Sequence, residues 1–290
     1  MRTSIFTSVL LAAAFALAGC GGGGGTGIVS TPPPPPPPPP SPQTPALVPA
    51  ATTNQQFAVM GASHAIEGDQ RPQLGASEQL QVRYVASTNM YEIQLPDSQA
   101  WAAISYIPTG DGSPINFGGG DTHLWLRSEG YQYSRLFEWN GNDSIVGYEA
   151  IGIATAPGSV PTAGTASYSG QVMGFTPEDN SFDSMFISGS IAMNFNFGSG
   201  ALTGSISPIL HEGFAPHSLG TIDFRNTVFS AGSTTFSGEF DTDVAGMNSF
   251  SGMFTGPKAE EAIGNFALPY KSPIDSRTYQ AAGAFVAKGP

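Results

Sequence analysis

The sequence predicts an all-β protein in which a small N-terminal antiparallel sheet packs on a C-terminal eight-stranded antiparallel β-barrel. Apolar and polar residues alternate over many short segments, as they do in half-buried strands. Gly and aromatic residues stand two apart through the C-terminal half, as at Phe250, Gly252 and Phe254. Charged residues make up only 11% of the 290 residues, whereas Gly, Ser, Thr and aromatic residues are abundant. This composition is typical of secreted β proteins and not of disordered chains.

Residues 1–19 predict a lipoprotein signal peptide. A basic start is followed by the apolar run Ile5–Leu17, which is too short to span a bilayer alone, since that needs about 20 residues. Small residues then precede Cys20, the only cysteine of the chain, and this order is typical of a bacterial lipoprotein signal. Cys20 is therefore the predicted lipidation site, carrying palmitate-type chains, and no other thiol remains for chemistry. The alternative is an ordinary secretory signal with an unmodified cysteine.

Residues 20–50 predict a lipidated tether. Gly21–Gly25 is a flexible stretch, and the nine prolines of Pro32–Pro40 favour a polyproline II rod of roughly 28 Å at about 3.1 Å per residue. Gly and not Asp follows Cys20, which favours the outer membrane over retention at the inner one. We expect a lipid-anchored outer-membrane protein at the cell surface, held off the membrane by this spacer. A passive low-complexity linker is the alternative.

Residues 51–155 predict the small sheet. The segment 51–75 is ambiguous between a short helix and an irregular arm, and 110–120 reads as a loop. Alternation predicts a hairpin and further strands, and the Pro-broken stretch 150–162 is the expected joint to the next domain. The predicted strands lie at 80–84, 91–95, 103–107, 123–126 and 131–139.

Residues 156–290 predict the barrel. Gly inside a strand weakens that strand unless a neighbouring side chain covers it. Aromatic rings can cover glycines on the next strand, and the glycines permit the sheet to coil tightly. An eight-stranded barrel has room only for side chains, so we expect a packed interior and working loops. A short helix is expected at Lys258–Ala262, after Gly256-Pro257. The eight strand segments are 164–175, 186–197, 201–208, 219–229, 232–241, 249–256, 263–270 and 279–287.

Four segments of this half also carry a resemblance, namely Val160–Gly170, Phe197–Gly204, Phe254–Phe266 and Ala282–Phe285. In order and spacing they resemble the β-barrel domain of transferrin-binding protein B-like surface lipoproteins, and 80–150 is similar to the family's handle sheet. The resemblance implies one handle-plus-barrel lobe, where the best-known members have two and capture host iron carriers for an outer-membrane transporter. Relatives bind complement factor H, haemoglobin or haem. The matched residues are structural glycines and aromatics, so no binding residue carries over.

These features together predict a binding protein and no enzyme. The formal net charge of −12 argues against nucleic acid as a partner. We expect an outer-membrane-anchored lipoprotein that binds a protein or a metal- or haem-carrying partner through loops of its barrel lobe, with no cofactor of its own. An outer-membrane transporter or a lipoprotein exporter would be a further partner. The alternative is a structural envelope lipoprotein without a soluble ligand.

Residues that suggest chemistry are few, and most have a plainer interpretation. His211-Glu212 with His217 suggests a metal site, but the spacing is not His-Glu-x-x-His and a loop between strands is favoured. Asp241-Thr242-Asp243 offers too few oxygen ligands for calcium and is better explained as a turn. Asp111–Ser113 and Gly118–Asp121 are turn sequences with no helix to complete a phosphate cradle.

The remaining candidates are a serine, a carboxylate pair and several aromatic residues. Ser167–Gly170 lacks the Gly-x-Ser-x-Gly elbow, and Glu260 and Glu261 would point apart on a short helix. Tyr148 is less clearly patterned, and an exposed ring there would suit partner binding. Four other rings are assigned to the core of the handle sheet, with an interface as the alternative: Tyr131, Tyr133, Phe137 and Trp139.

Overall fold

The computed structural model describes residues 46–65, 72–75, 79–96, 98–108, 116–120, 122–141, 145–176, 185–212 and 215–290. The predicted signal peptide, the lipidation site Cys20 and nearly all of the predicted tether lie outside these residues. Two antiparallel sheets of nine strands each account for the secondary structure of the described part. No helix in the described part is long and apolar enough to cross a bilayer.

The first sheet corresponds to the predicted handle, and it curls until its two ends nearly meet. Its strand order is β1-β3-β4-β5-β6-β7-β8-β9-β2, so the strands at its two edges are consecutive in the chain. Phe57, between those two strands, donates its N–H to the carbonyl of Val82 at 3.0 Å. The strands are β1 (Gln55–Gln56), β2 (Ala58–Ala65), β3 (Gln81–Val85), β4 (Met90–Gln94), β5 (Ala102–Ile107), β6 (Asn116–Gly119), β7 (Thr122–Leu126), β8 (Ser134–Gly141) and β9 (Ile145–Gly152).

The second sheet closes into the predicted eight-stranded barrel. Its strands are β10 (Thr165–Phe175), β11 (Met185–Asn196), β12 (Ala201–Glu212), β13 (Ala215–Ser218), β14 (Ile222–Val228), β15 (Thr235–Phe240), β16 (Ser249–Thr255), β17 (Glu261–Lys271) and β18 (Thr278–Lys288). Their order is β11-β10-β18-β17-β16-β15-β14-β12, and β11 pairs with β12 along its whole length to complete the ring. The short β13 adds to the edge of β12 beside β14. Full closure leaves the ring without an open edge.

Aromatic rings and glycines fill the barrel interior in the way the sequence predicts. Gly264 lies opposite Phe285 on the next strand, and Gly252 lies opposite Phe236. In each pair the ring lies directly over the glycine, where a Cβ atom would collide with it. The interior cluster is apolar and buried throughout the described strands. The large-over-small pairing therefore allows the sheet to coil tightly enough to close.

The two sheets pack against each other through their outer walls. Ile263 and Val286 of the barrel meet Leu136 and Ala150 of the first sheet in one apolar cluster. The buried carboxylate of Glu261 crosses this contact to strand β8 and the residues before it. It accepts hydrogen bonds from the N–H of Gln132 at 2.6 Å and Tyr133 at 3.0 Å, and from the Ser134 hydroxyl at 2.6 Å. Together these contacts, apolar and charge-assisted, fix one sheet on the other.

Several local expectations were wrong. The predicted helix at Lys258–Ala262 is a tight turn, with Gly256 and Ala259 at φ values of 89° and 63°, and Glu261 already begins a strand. Pro257 lies in that turn instead of opening a helix. Tertiary contacts explain the difference, because the three donors around Glu261 belong to a segment 127 to 129 residues away.

Three segments of the first sheet also differ from the expectation. The ambiguous region 51–75 contains strands β1 and β2, the expected loop 110–120 contains strand β6, and the expected joint at 150–162 begins inside strand β9. The first sheet is consequently larger than the small sheet that the sequence predicted. Strand β9 lacks alternation because both of its faces are covered, one by the interior of the first sheet and the other by the barrel.

Candidate functional site

One end of the barrel is closed by packed aromatic rings. Phe195 packs edge-on against Phe229 and Phe254, with ring centroids 5.1 and 4.9 Å apart. Tyr168 adds a further ring 5.7 Å from Phe254, and its hydroxyl donates to the carbonyl of Ala259. Burial raises the pKa of Tyr168 to about 12, so it remains a neutral donor. We call this end the plugged end.

The opposite end carries two longer connections, 241–248 between β15 and β16 and 272–277 between β17 and β18. Each presents a large apolar side chain to solvent, Met247 at 44% exposure and Ile274 at 40%. Exposed apolar side chains on ordered loops are typical of protein contact surfaces when they cluster within a polar surround. We call these two connections the rim loops.

Amide side chains brace the first rim loop. Gln280, near the start of β18, accepts from the N–H of Met247 and donates to its carbonyl, both at 2.9 Å. Asn248 makes the same double contact with the backbone of Phe240, again at 2.9 Å for each bond. Because both sides of the loop are tied to strands, Met247 is held in place and would lose little entropy on contacting a partner.

A carboxylate organises the second rim loop. Asp275 accepts from the N–H of Arg277 at 2.9 Å and from the hydroxyl of Tyr279 at 2.7 Å. These two hydrogen bonds, the backbone one first, lower the pKa of Asp275. Ile274 is held in turn by the bond from its N–H to the Ser272 hydroxyl at 3.1 Å. The loop therefore presents an apolar tip directly beside a fixed negative charge.

The rim loops carry charges of both signs around their apolar tips. Asp241 and Asp243 lie on the first loop and Asp275 on the second, against the cations Lys271 and Arg277. Asp241 is largely exposed and lies 3.6 Å from the guanidinium of Arg225.

A concave feature lies on the barrel wall, between strand β2 of the first sheet and strands β14, β15 and β16. It is a groove of about 440 Å³ that contains Val59, Met60, Ser237, Met253 and the 64%-exposed Val228. Ser237 and Ser251 also line an adjoining hollow of about 360 Å³. We call the larger of the two the wall groove.

The histidines that suggested a metal do not form one site. His211 lies flat on Phe186 with ring centroids 4.3 Å apart, and its Nε2 contacts the Ser188 hydroxyl at 2.7 Å. Burial lowers the pKa of His211. His217 Nε2 lies 3.9 Å from a Glu212 carboxylate oxygen. Within the described ranges, no three His, Cys, Asp or Glu side chains come together to hold a metal ion.

The other predicted turn and loop candidates are engaged in ordinary structure. The N–H of Asp241 donates to the carbonyl of Asp223 on strand β14 at 2.7 Å, and the Thr242 hydroxyl accepts from the N–H of Val244 at 3.2 Å. Ser167 lies in strand β10 and donates to Asn194 at 2.7 Å. Gly118 belongs to strand β6. The motif at 111–113 lies outside the described residues.

The aromatic residues divide between the core and the contact between sheets. Phe137 and Trp139 are core residues of the first sheet, as predicted, and Tyr133 lies beside Gly256 of the barrel. Tyr131 belongs to the apolar cluster between the sheets. Tyr148, for which an exposed position would have suited partner binding, is not exposed. Its ring is buried between the sheets against Phe175 and Ala282, and burial raises its pKa.

Sequence reasoning missed two buried carboxylates. Glu261 was paired with Glu260 on an expected helix, whereas it joins the two sheets. Glu149 is fully buried in the first sheet, where it accepts from the N–H of Leu80 at 2.9 Å, and burial raises its pKa well above the ordinary value. Extending the alternation of Ile263 and Asn265 back by one step would have placed Glu261 on the outer wall. No sequence signal marks Glu149.

The fold and its surface define a class of protein. A closed barrel whose interior is filled by side chains, fixed against a second curled sheet, leaves loops and outer walls for recognition. The arrangement is that of a rigid support for a binding surface.

Residues 160–289 match the family described as the C-lobe and N-lobe beta barrels of Tf-binding protein B. The C-terminal barrel of this chain is therefore similar to the barrel domains of that family. This confirms the resemblance stated from the sequence, and the family is one of binding proteins.

Solved structures of this type align with most of the chain at low identity. A mutant transferrin binding protein B from Haemophilus parasuis Hp5 is 16% identical with a TM-score of 0.44, over 80% of this chain and 44% of its own. The isotype 1 transferrin binding protein B from serogroup B Neisseria meningitidis is 15% identical with a TM-score of 0.45. This match covers 80% of this chain and 43% of that protein. HpuA from Kingella denitrificans, solved with human haemoglobin, is 13% identical with a TM-score of 0.44. This match covers 82% of this chain and 88% of HpuA.

This chain thus spans less than half the length of those two transferrin binding proteins. Among curated proteins, no sequence matches the chain.

Proposed function

We propose that this protein is a lipoprotein anchored in the outer membrane at Cys20 that captures a protein, or a metal- or haem-carrying partner, through the rim loops of its barrel. The exposure of Met247 and Ile274 on braced loops carries the proposal, because ordered apolar tips in a polar surround are the usual centre of a protein contact. The family match supports it, since the matching family is named for binding transferrin.

Binding measurements with the full detergent-solubilised lipoprotein test the proposal. The probes are haemoglobin, iron-loaded transferrin and free haemin, and we expect saturable binding of at least one. The double variant Met247→Ser with Ile274→Ser is expected to weaken that binding by about tenfold or more, because central apolar contacts dominate affinity. Val228→Ser is the matched control, since it also removes an exposed apolar side chain, but from the wall groove, and it should bind like the unaltered protein.

The result that contradicts capture at the rim is equally specific. Unchanged affinity of the double variant would place the contact elsewhere. Absence of saturable binding to every probe, combined with protection from surface protease on intact cells, would favour the structural envelope protein. Anchoring is tested separately by labelled palmitate, which the Cys20→Ser variant should fail to incorporate.

A further inference from the structure

The wall groove and the hollow beside it form one depression on the outer face of the barrel. Both are lined by Ser237 and Ser251, so the two spaces meet along these side chains. Their volumes of about 440 and 360 Å³ each lie in the range of small-molecule sites, which is roughly 300–1,000 Å³. We call the combined depression the wall trough, and its two parts together offer room for an elongated ligand.

Small hydroxyl side chains form the floor of the wall trough. Ser237 on strand β15 lies opposite Ser251 on strand β16, and Glu239 and Ser249 follow two residues further along the same two strands. Alternate residues of a strand point to the same face, so these side chains share the outer face of the barrel. Strand β15 pairs with both β14 and β16. The floor therefore offers a ligand side-chain groups and no open strand edge.

The hydroxyls of the floor combine fixed and uncommitted hydrogen-bonding groups. Ser251 donates to Oδ1 of Asn265 at 2.7 Å, so its oxygen is left as an acceptor. Among the described residues, the hydroxyls of Ser237 and Ser249 have no hydrogen-bond partner. Each of the two can therefore donate or accept. A ligand that carries both donors and acceptors matches this combination.

A bulge in strand β14 places an amide and a carboxylate at one end of the wall trough. The register between β14 and β15 shifts between Arg225 and Val228, and Asn226 in this bulge has a left-handed φ of 49°. Bulges of this kind redirect side chains. The amide nitrogen of Asn226 donates to Oε2 of Glu239 at 3.0 Å, and Nε of Arg225 lies 3.4 Å from the same oxygen. In the part of the chain that the structure describes, Oε1 of Glu239 is left without a partner.

The other end of the wall trough is apolar and uncharged. Val59, Met60 and Met253 line it together with Val228, and none of the described residues that line the wall groove carries a charge. The single carboxylate of the hollow, Glu239, is balanced by Arg225. The wall trough thus combines apolar surface with hydroxyl, amide and carboxylate groups, and its charges compensate one another.

We propose that the wall trough binds a neutral oligosaccharide chain. A sugar ring carries hydroxyls that both donate and accept, around C–H faces that are apolar, and the lining has the same mixture. The carboxylate of Glu239 and the hydroxyls of Ser237 and Ser249 bond to the ring hydroxyls. The side chains of Met253 and Val228 contact the apolar faces. Glu239 and the formal net charge of −12 disfavour an anionic glycan.

An extended peptide fits the same surface less well. Peptides that bind to sheets gain affinity from main-chain hydrogen bonds to a free strand edge, and β15 is paired on both sides. The peptide would lose much of the hydrogen bonding that its own N–H and C=O groups have in water. Peptide binding is therefore the outcome that the experiment must separate from glycan binding.

An array of neutral glycans tests the proposal with the full lipoprotein. The protein is held in a detergent without a sugar headgroup, because such a headgroup would compete for the site. The array carries α-linked and β-linked glucose oligomers and oligomers of N-acetylglucosamine, and we expect saturable binding of at least one of them. Calorimetry with the bound oligomer then compares the affinities of the unaltered and variant proteins.

Substitutions in the wall trough should weaken this binding. Glu239→Gln keeps the size of the side chain and removes the charged acceptor, and Asn226→Gly removes the amide while glycine accepts the left-handed φ. Each should reduce the affinity by about tenfold. Ser237→Trp fills the wall trough and should abolish binding. Ser190→Trp, at an exposed residue of strand β11, is the matched control and should bind like the unaltered protein.

Three outcomes would overturn the proposal. They are the absence of saturable binding to every neutral glycan of the array, equal binding by the Ser237→Trp protein, and displacement of the glycan by a capped peptide of alternating valine and threonine. The wall trough contains neither Met247 nor Ile274, so substitution of these two by serine should leave glycan binding intact. Failure of capture at the rim and failure of glycan binding at the wall are therefore distinguishable.

Discussion

The barrel and the first sheet reach closure by different means, and they also differ in the polar groups that they bury. The barrel completes its ring by pairing β11 with β12, and its interior cluster consists of apolar and aromatic side chains. The first sheet does not pair its end strand β2 with β3 among the described residues. It buries Glu149 inside, while His64 lies between it and the barrel. The barrel thus closes over rings packed on glycines, whereas the first sheet holds a carboxylate within its core.

The largest effect is expected from a substitution that fills the space under one aromatic ring of the barrel. Gly264→Ala would place a methyl group against Phe285 and against the backbone carbonyl of Ser251. Because the backbone cannot move aside without a large energetic cost, we expect the free energy of unfolding to fall by about 3 kcal/mol or more, or the barrel not to fold. Denaturant unfolding measures this loss. Gly198→Ala is the control, because its added methyl meets only ordinary contacts at 3.6 Å or beyond, and an equal loss there would refute the explanation.

The next largest loss of stability is expected from weakening the contact between the two sheets. Glu261→Ala leaves two backbone N–H groups and the Ser134 hydroxyl without their acceptor in a buried site. We expect a loss of about 3 kcal/mol, since each unsatisfied buried donor costs roughly 1 kcal/mol or more. Faster hydrogen exchange at Gln132 and Tyr133 would show that the contact between sheets is affected. Glu260→Ala is the matched control, and a similar loss in that variant would contradict the role of Glu261.

Acid pH should weaken the contact between sheets through His64. Burial lowers the pKa of His64 to about 4 from the ordinary 6.5, and its ring lies 4.1 Å from that of Phe175. As pH falls from 6.5 to 4, the unfolded chain takes up a proton that the folded protein excludes, so stability falls. The loss is about 3 kcal/mol, at roughly 1.4 kcal/mol per pH unit. His64→Phe should reduce the difference in unfolding free energy between pH 7 and pH 4 by that amount.

Glu149 should have the opposite pH dependence and a smaller effect. Its pKa is raised by burial, so the folded protein keeps a proton that the unfolded chain loses above about pH 4.5. Stability therefore falls as pH rises from there towards the folded pKa. Glu149→Gln keeps an acceptor for the N–H of Leu80, and we expect it to stabilise the protein at pH 7 by about 1–3 kcal/mol. The gain should vanish near pH 4, and a gain that does not depend on pH would contradict this explanation.

The sequence was informative where each strand has one covered face. Phe250, Gly252 and Phe254 alternate with polar neighbours, and the predicted strands there match β16 closely. Strands β2 and β9 were missed because they are packed on both faces or rich in small residues, so no alternation marks them. The contacts of Glu261 and the exposure of Met247 depend on segments far away in the chain, which no local pattern reports.

The filled barrel has a consequence for how the rim can change. The side chains that fill the barrel interior come from other parts of the chain than loops 241–248 and 272–277. The tips of these loops can therefore be exchanged or lengthened without changing the strands. Doubling the length of a flexible loop adds only about 0.6 kcal/mol of closure entropy. Such a graft must keep the hydrogen bonds of Met247 with Gln280, of Asn248 with Phe240 and of Asp275 with Tyr279. Recognition at this end of the molecule is thus free to diversify, or to be redesigned, on an unaltered frame.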